Sequence, residues 1–141
     1  MTPGQYDLGR FVQAQDARGT YASALAELRA GRKTGHWMWF VFPQIAGLGL
    51  SETSRRYAIS SLDEARAYLA HPVLGARLEE SARALLELDG RTATEILGPV
   101  DVMKLRSSMT LFARAAPEQP LFADVLDRYF DAPDDATEAR L

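Results

Sequence analysis

The sequence predicts an all-α fold, a single compact helical domain of the non-bundle kind. Three observations point there. Apolar residues recur at helical spacing along most of the chain, strand-like alternation is almost absent, and glycine or proline falls between the periodic segments. The 141 residues suit one domain spanning 1–141, with an acidic surface tail at about 131–141.

In chain order, DLGRFVQAQ places Leu8, Phe11, Val12 and Gln15 at helical spacing with Asp7 as N-cap. TYASALAELRAG follows, with Thr20 as cap, Tyr21, Leu25 and Leu28 on one face, and Gly31 as the stop. RKTGHWMWFVFPQIAGLGLSETS is punctuated by Gly35, Pro43, Gly47 and Gly49, and is too aromatic to sit in water. It reads as an irregular or briefly extended buried segment around residues 35–50. A short amphipathic helix headed by Asp63 comes next, from Leu62 to Leu69. In HPVLGARLEESARALLELDG, Leu74, Leu78, Leu85 and Leu88 form a stripe, with Pro72 in the first turn and Gly90 as C-terminal cap. Thr92 and Glu95 have capping-box spacing, opening a turn that closes at Gly98 and Pro99. Asp101 can cap DVMKLRSSMTLFARAA, where Val102, Leu105, Met109 and Phe112 share a face. Pro117 and Pro120 separate it from LFADVLDRYF, a strongly amphipathic last helix. Helices so different in length do not suit a regular bundle.

Composition narrows the function classes. A hydrophobic fraction of 47% with 25% charged residues argues against disorder, and no apolar run approaches the roughly 20 residues of a membrane span. The start, MTPGQYDLGRF, lacks the basic and apolar regions of a secretory signal. With no cysteine, disulfides, thiolate metal sites and a cysteine nucleophile are excluded, and a cytoplasmic location is the simplest reading. A net charge of −3 gives no general basic field for nucleic acid. His36 and His71 are too few for a zinc site, so neither metal nor cofactor is expected, and His71 before Pro72 reads as a helix entrance.

The chemistry concentrates in GHWMWFVFPQ, which holds both tryptophans beside one of two histidines. Trp37, Trp39, Phe40 and Phe42 are most simply core. Yet Lys33, Thr34, His36 and Gln44 surround the rings with polar groups, the composition a site for a planar ligand requires. Further on, Lys104 and Ser108 stand one helical turn apart and can face a single anionic oxygen; the plainer reading is that serines here bond back to the preceding turn. GLGLS lacks the features of a phosphate loop, and its glycines read as turn residues.

These expectations combine into one pocket lined by Trp39, Phe42, His36, Gln44 and Gln15, with Lys104 and Ser108 opposite. A nucleotide-like or ADP-ribose-like ligand would stack on a ring and bond through its oxygens. Were the domain an enzyme, hydrolysis or group transfer would use His36 as general acid or base, with Gln44 and Lys104 orienting and stabilising charge. The rival is a non-enzymatic interaction module that presents Trp37 or Phe42 to a protein partner.

Taken together, FVQAQ, Tyr21, Ala24, Leu25, ELRAGRKTGHWMWFVFPQIAGLG, Ser54, Tyr57, Ala58, HPVLGARL, EILG, DVMKLRSSMTLFA and LFADVLDRYF resemble the domain-of-unknown-function family 1810 over nearly the whole chain. The resemblance implies a small all-helical protein of bacterial or fungal type and supplies no catalytic residues. The calpastatin label that such proteins sometimes carry finds no support here, as the chain has neither repeat nor disorder of that sort. The fragment FVQAQ also resembles a helix of the NADAR-type ADP-ribose glycosidases, which serves only to choose ligands for testing.

Overall fold

The computed structural model describes residues 6–141, and the expected all-α fold is found. The first five residues, where the reading for a secretory signal begins, lie outside the described residues. Among the described residues ten α-helices follow in order: α1 (Gly9–Asp16), α2 (Thr20–Ala30), α3 (Met38–Val41), α4 (Glu52–Arg56), α5 (Leu62–Ala70), α6 (Leu74–Leu86), α7 (Ala93–Leu97), α8 (Asp101–Ala115), α9 (Leu121–Tyr129) and α10 (Asp135–Glu138). The only extended pairing among the described residues is one parallel bridge, Ile45 with Ile59.

Helix α8 is the hub, touching α3, α5, α7, α9 and α10. Its residues Ser107 to Phe112 are buried in an unbroken run, as expected of a helix covered on most sides. The hydroxyls in that run are handled locally. Ser107 donates to the Met103 carbonyl at 3.1 Å and Thr110 to the Arg106 carbonyl at 2.8 Å, the backward bonds expected of serine and threonine in a helix. Phe112 joins Tyr68 of α5 and Phe122 of α9 in one aromatic row, with ring centroids 5.4 and 5.9 Å apart.

Several ends agree with the sequence. Gly31 ends α2 at φ 75°, and Thr92 and Glu95 exchange side-chain bonds around the start of α7. His71 accepts the Val73 and Leu74 amides on Nδ1 at 3.1 and 3.2 Å, which makes it the entrance to α6. Other caps move. Leu8, not Asp7, holds the N-cap position of α1. Gly19 at φ 66° precedes α2, so Thr20 is its first residue and turns its hydroxyl back to Ala17. Ser61 rather than Asp63 caps α5. Asp101 lies within the first turn of α8 instead of capping it, because two lysines claim its carboxylate. In the tail, Asp134 caps α10 and Thr137 is buried, so residues 134–138 fold back on α8 while Asp131 to Pro133 stay exposed.

Helices α5 and α6 meet through Gly75. A Cβ there would lie 2.1 Å from the Leu69 carbonyl oxygen, so the two backbones approach as only glycine permits. Gly75→Ala is expected to destabilise the fold by roughly 3 kcal/mol or more, measured by urea denaturation. A loss below about 1 kcal/mol would mean that the α5–α6 contact relaxes freely.

Candidate functional site

The aromatic segment is organised by a carboxylate one turn back in α2. Glu27 Oε1 accepts the Thr34 amide at 2.7 Å, the Gly35 amide at 2.9 Å and the Trp37 indole N–H at 3.0 Å. Burial works to raise its pKa, but these three bonds outweigh it and hold the carboxyl below its ordinary value. Trp37 is thereby held in the core at 1% exposure, against Phe42.

Lys33, just before this turn, donates its amide to Ile96 at 2.7 Å and places its ammonium 2.7 Å from Asp101. Lys104 meets the other oxygen of the same carboxylate at 3.1 Å. Each lysine also lies over an indole, Lys33 above Trp37 and Lys104 above Trp39, both 5.1 Å from the ring centre. Asp101 is raised by burial, yet the two ammonium groups outweigh this and keep it ionised below its usual range. The network joins the aromatic segment to α7 and α8 and leaves Trp39 half-buried.

Beside Trp39 opens a cleft of about 170 Å³. One wall is Trp39 and the loop from Gln44 to Gly49; the other is Ser54, Arg55, Tyr57 and Ala58. The isolated bridge staples these walls together, through Ala46 N–H to the Ile59 carbonyl and Ile59 N–H to the Gln44 carbonyl, both 2.8 Å. Tyr57 is held from behind by the rings of Phe40 and Phe11, at 5.4 and 5.9 Å. The glycines of GLGLS permit close packing as well as turning. A Cβ on Gly47, where φ is 97°, would come within 2.4 Å of the Arg140 guanidinium, and one on Gly49 within 2.5 Å of the Ser54 side chain.

No residue lining the cleft is acidic, in a chain with 19 acidic residues. Arg55 lines it, exposed and with no ion pair among the described residues, and Arg140 rests on its Gly47 wall. Such a lining attracts negative charge and offers indole and phenol surface to a flat group.

The expected site residues divide. Trp39 and Gln44 line the cleft, and Lys104 sits over Trp39. Gln15 is buried, donating to the Phe40 carbonyl at 2.7 Å and to the Tyr68 hydroxyl at 3.3 Å while accepting from Arg77 at 3.2 Å. Its amide therefore ties α1 to α3, α5 and α6. Phe42 is fully enclosed in the core, and Ser108 is fully buried with its hydroxyl unpartnered. His36 is exposed and does not line the cleft. The residues that sequence reasoning passed over are Glu27, Arg55 and Tyr57. Two arginines and a tyrosine following a glycine-rich loop were the available signal for the last two. Glu27 gave none, since its three donors lie seven to ten residues away.

Among the described residues, no group of three or more histidine, cysteine or acidic side chains could hold a metal ion, and no helix is long and apolar enough to cross a membrane. Compared with known proteins, residues 5–141 match a family model described as Protein of unknown function (DUF1810). Among solved structures, the crystal structure of the conserved hypothetical protein Rv1873 from Mycobacterium tuberculosis shares 52% identity over 96% of each chain, with a TM-score of 0.93. No curated protein matches.

Because Glu27 and Asp101 both have lowered folded-state pKa values, the stability they contribute is complete above the unfolded carboxylate range, near about 4, and is lost as pH falls through their lower folded values. Glu27→Gln should weaken the turn by about 1 to 2 kcal/mol at neutral pH and flatten the acid limb of the stability curve. Urea unfolding across pH checks both. An unchanged acid limb would show that Glu27 does not hold the segment by charge.

Proposed function

This chain belongs to the DUF1810 family of proteins of unknown function, and we propose that its cleft beside Trp39 binds a small planar ligand carrying negative charge, of the nucleotide-like class. The observation that carries this reading is the cleft's lining: Trp39 and Tyr57 for a flat ring, Gln44 for polar edges, Arg55 for an anion, and no carboxylate to repel one.

Size refines the ligand. At about 170 Å³ the cleft falls short of the roughly 300 to 1,000 Å³ typical of drug-sized pockets, and is close to the roughly 150 Å³ that accepts one benzene ring. One heterocycle or one phosphosugar inserts, and the rest of a mononucleotide or ADP-ribose lies outside, at Arg55. Binding is favoured over turnover, since His36, the expected acid or base, is exposed and lies outside the lining. The interaction-module reading is less well supported, because both rings it would present, Trp37 and Phe42, are buried.

A thermal-shift and calorimetric panel of AMP, ADP-ribose, ribose 5-phosphate and uncharged adenosine tests the proposal. A ligand at 100 times its dissociation constant stabilises by about 2.7 kcal/mol. The phosphorylated compounds should bind and adenosine should bind at least about tenfold more weakly. Arg55→Gln should weaken binding of the phosphorylated compounds by about tenfold, roughly 1.4 kcal/mol, without changing stability in the absence of ligand. Equal binding of AMP and adenosine would refute the anion component, and no binding across the panel would refute the site.

A further inference from the structure

A second groove, unconnected with the first in its lining, lies between α8, α9 and the segment leading into α10, with a volume of about 200 Å³. Its floor is apolar, made of Ala113, Ala123, Leu126 and Phe130. The one hydroxyl in it, on Thr110, is already engaged, donating to the Arg106 carbonyl and accepting the Asp134 amide, both at 2.8 Å. Its outer wall is fixed in place. Arg106 donates to the carbonyls of Ala132 and Pro133 at 2.8 and 3.0 Å, and the Asp134 carboxylate accepts from the Thr137 amide at 3.0 Å and the Thr137 hydroxyl at 2.6 Å. The groove is therefore preformed, as ligand sites generally are.

The charge at its mouth is opposite to that of the first cleft. Arg114 and Glu138 cancel one another at 2.5 Å. Asp127 and Asp131 remain, both exposed, both lining the groove, and neither carboxylate making a hydrogen bond or ion pair among the described residues. Arg128, the nearest basic residue in sequence, is directed away to the Leu88 carbonyl and Asp89. An apolar floor with room for one ring, lined by two carboxylates without an ion pair and with the Arg106 guanidinium engaged by backbone carbonyls of the wall, is complementary to a single positive charge on an apolar body.

We propose that this groove binds a small aryl- or alkylammonium compound, its apolar body on Leu126 and Phe130 and its ammonium between Asp127 and Asp131. The occupant is a free amine. Carboxylates so exposed act through solvent, so the charge contributes about tenfold in affinity and the floor supplies the remainder.

The test is a ¹H–¹⁵N NMR titration of the intact chain with phenethylamine and its neutral counterpart 2-phenylethanol, repeated on Asp127→Asn/Asp131→Asn. The expected result is shifts confined to α8, α9 and residues 131–133, and an amine preference of about tenfold at low salt that falls below about twofold in the double variant. Both substituted side chains are exposed, so the variant should keep the wild-type melting temperature. Equal affinity for amine and alcohol, a preference that survives in the double variant, shifts mapping elsewhere, or no shift at roughly 10 mM amine, ten times a weak dissociation constant of about 1 mM, would each overturn the assignment.

Discussion

One carboxylate oxygen, Oε1 of Glu27, is the constraint on which the aromatic segment depends. Three donors converge on it, two from the backbone of Thr34 and Gly35 and one from the indole of Trp37. The turn so formed leads into α3, with Trp37 at the N-cap position and Trp39 inside the helix. Trp37 enters the core while Trp39 reaches the surface cleft. The concentration of both tryptophans in GHWMWF thus has two answers: one ring completes the core, the other forms the wall of a cleft. His36 between Gly35 and Trp37 is exposed and takes part in neither.

The second layer of the arrangement is electrostatic. Lys33 and Lys104 share Asp101, and each also covers an indole, so the cations nearest the tryptophans are fixed in place by one carboxylate between them. What remains uncommitted at the cleft is Arg55, with Arg140 brought to its wall from the far end of the chain. At the second groove the uncommitted charge is negative, Asp127 and Asp131. A chain of modest net charge carries two preformed depressions of opposite polarity, a distribution invisible in the total of −3.

The helices were legible because their signals are local. Gly31 as a stop, the Thr92–Glu95 box and the apolar face of α9 each follow from residues within a turn or two. Helix α4 went unnoticed because five residues capped by Ser51 show no apolar periodicity. Asp101 looked like a cap because its partners Lys33 and Lys104 could not be weighed against the helix end from spacing alone. The same limit governs the site. Gln15 and Ser108 stand on helices whose polar positions suit water or core alike, and neighbours distant in sequence decide; Gln15 meets Phe40, Tyr68 and Arg77, between 25 and 62 residues away. Trp39 and Gln44 stay at the cleft because the irregular loop that holds them is drawn to Ile59 by a two-bond bridge.

The division of labour between the two tryptophans is the central claim, and their indole N–H resonances report it directly. During an NMR titration with AMP, the Trp39 indole signal should move in a saturable way while that of Trp37, locked on Glu27 inside the core, stays in place. Movement of Trp37 equal to that of Trp39, or a stationary Trp39 while AMP binds elsewhere, would contradict the account.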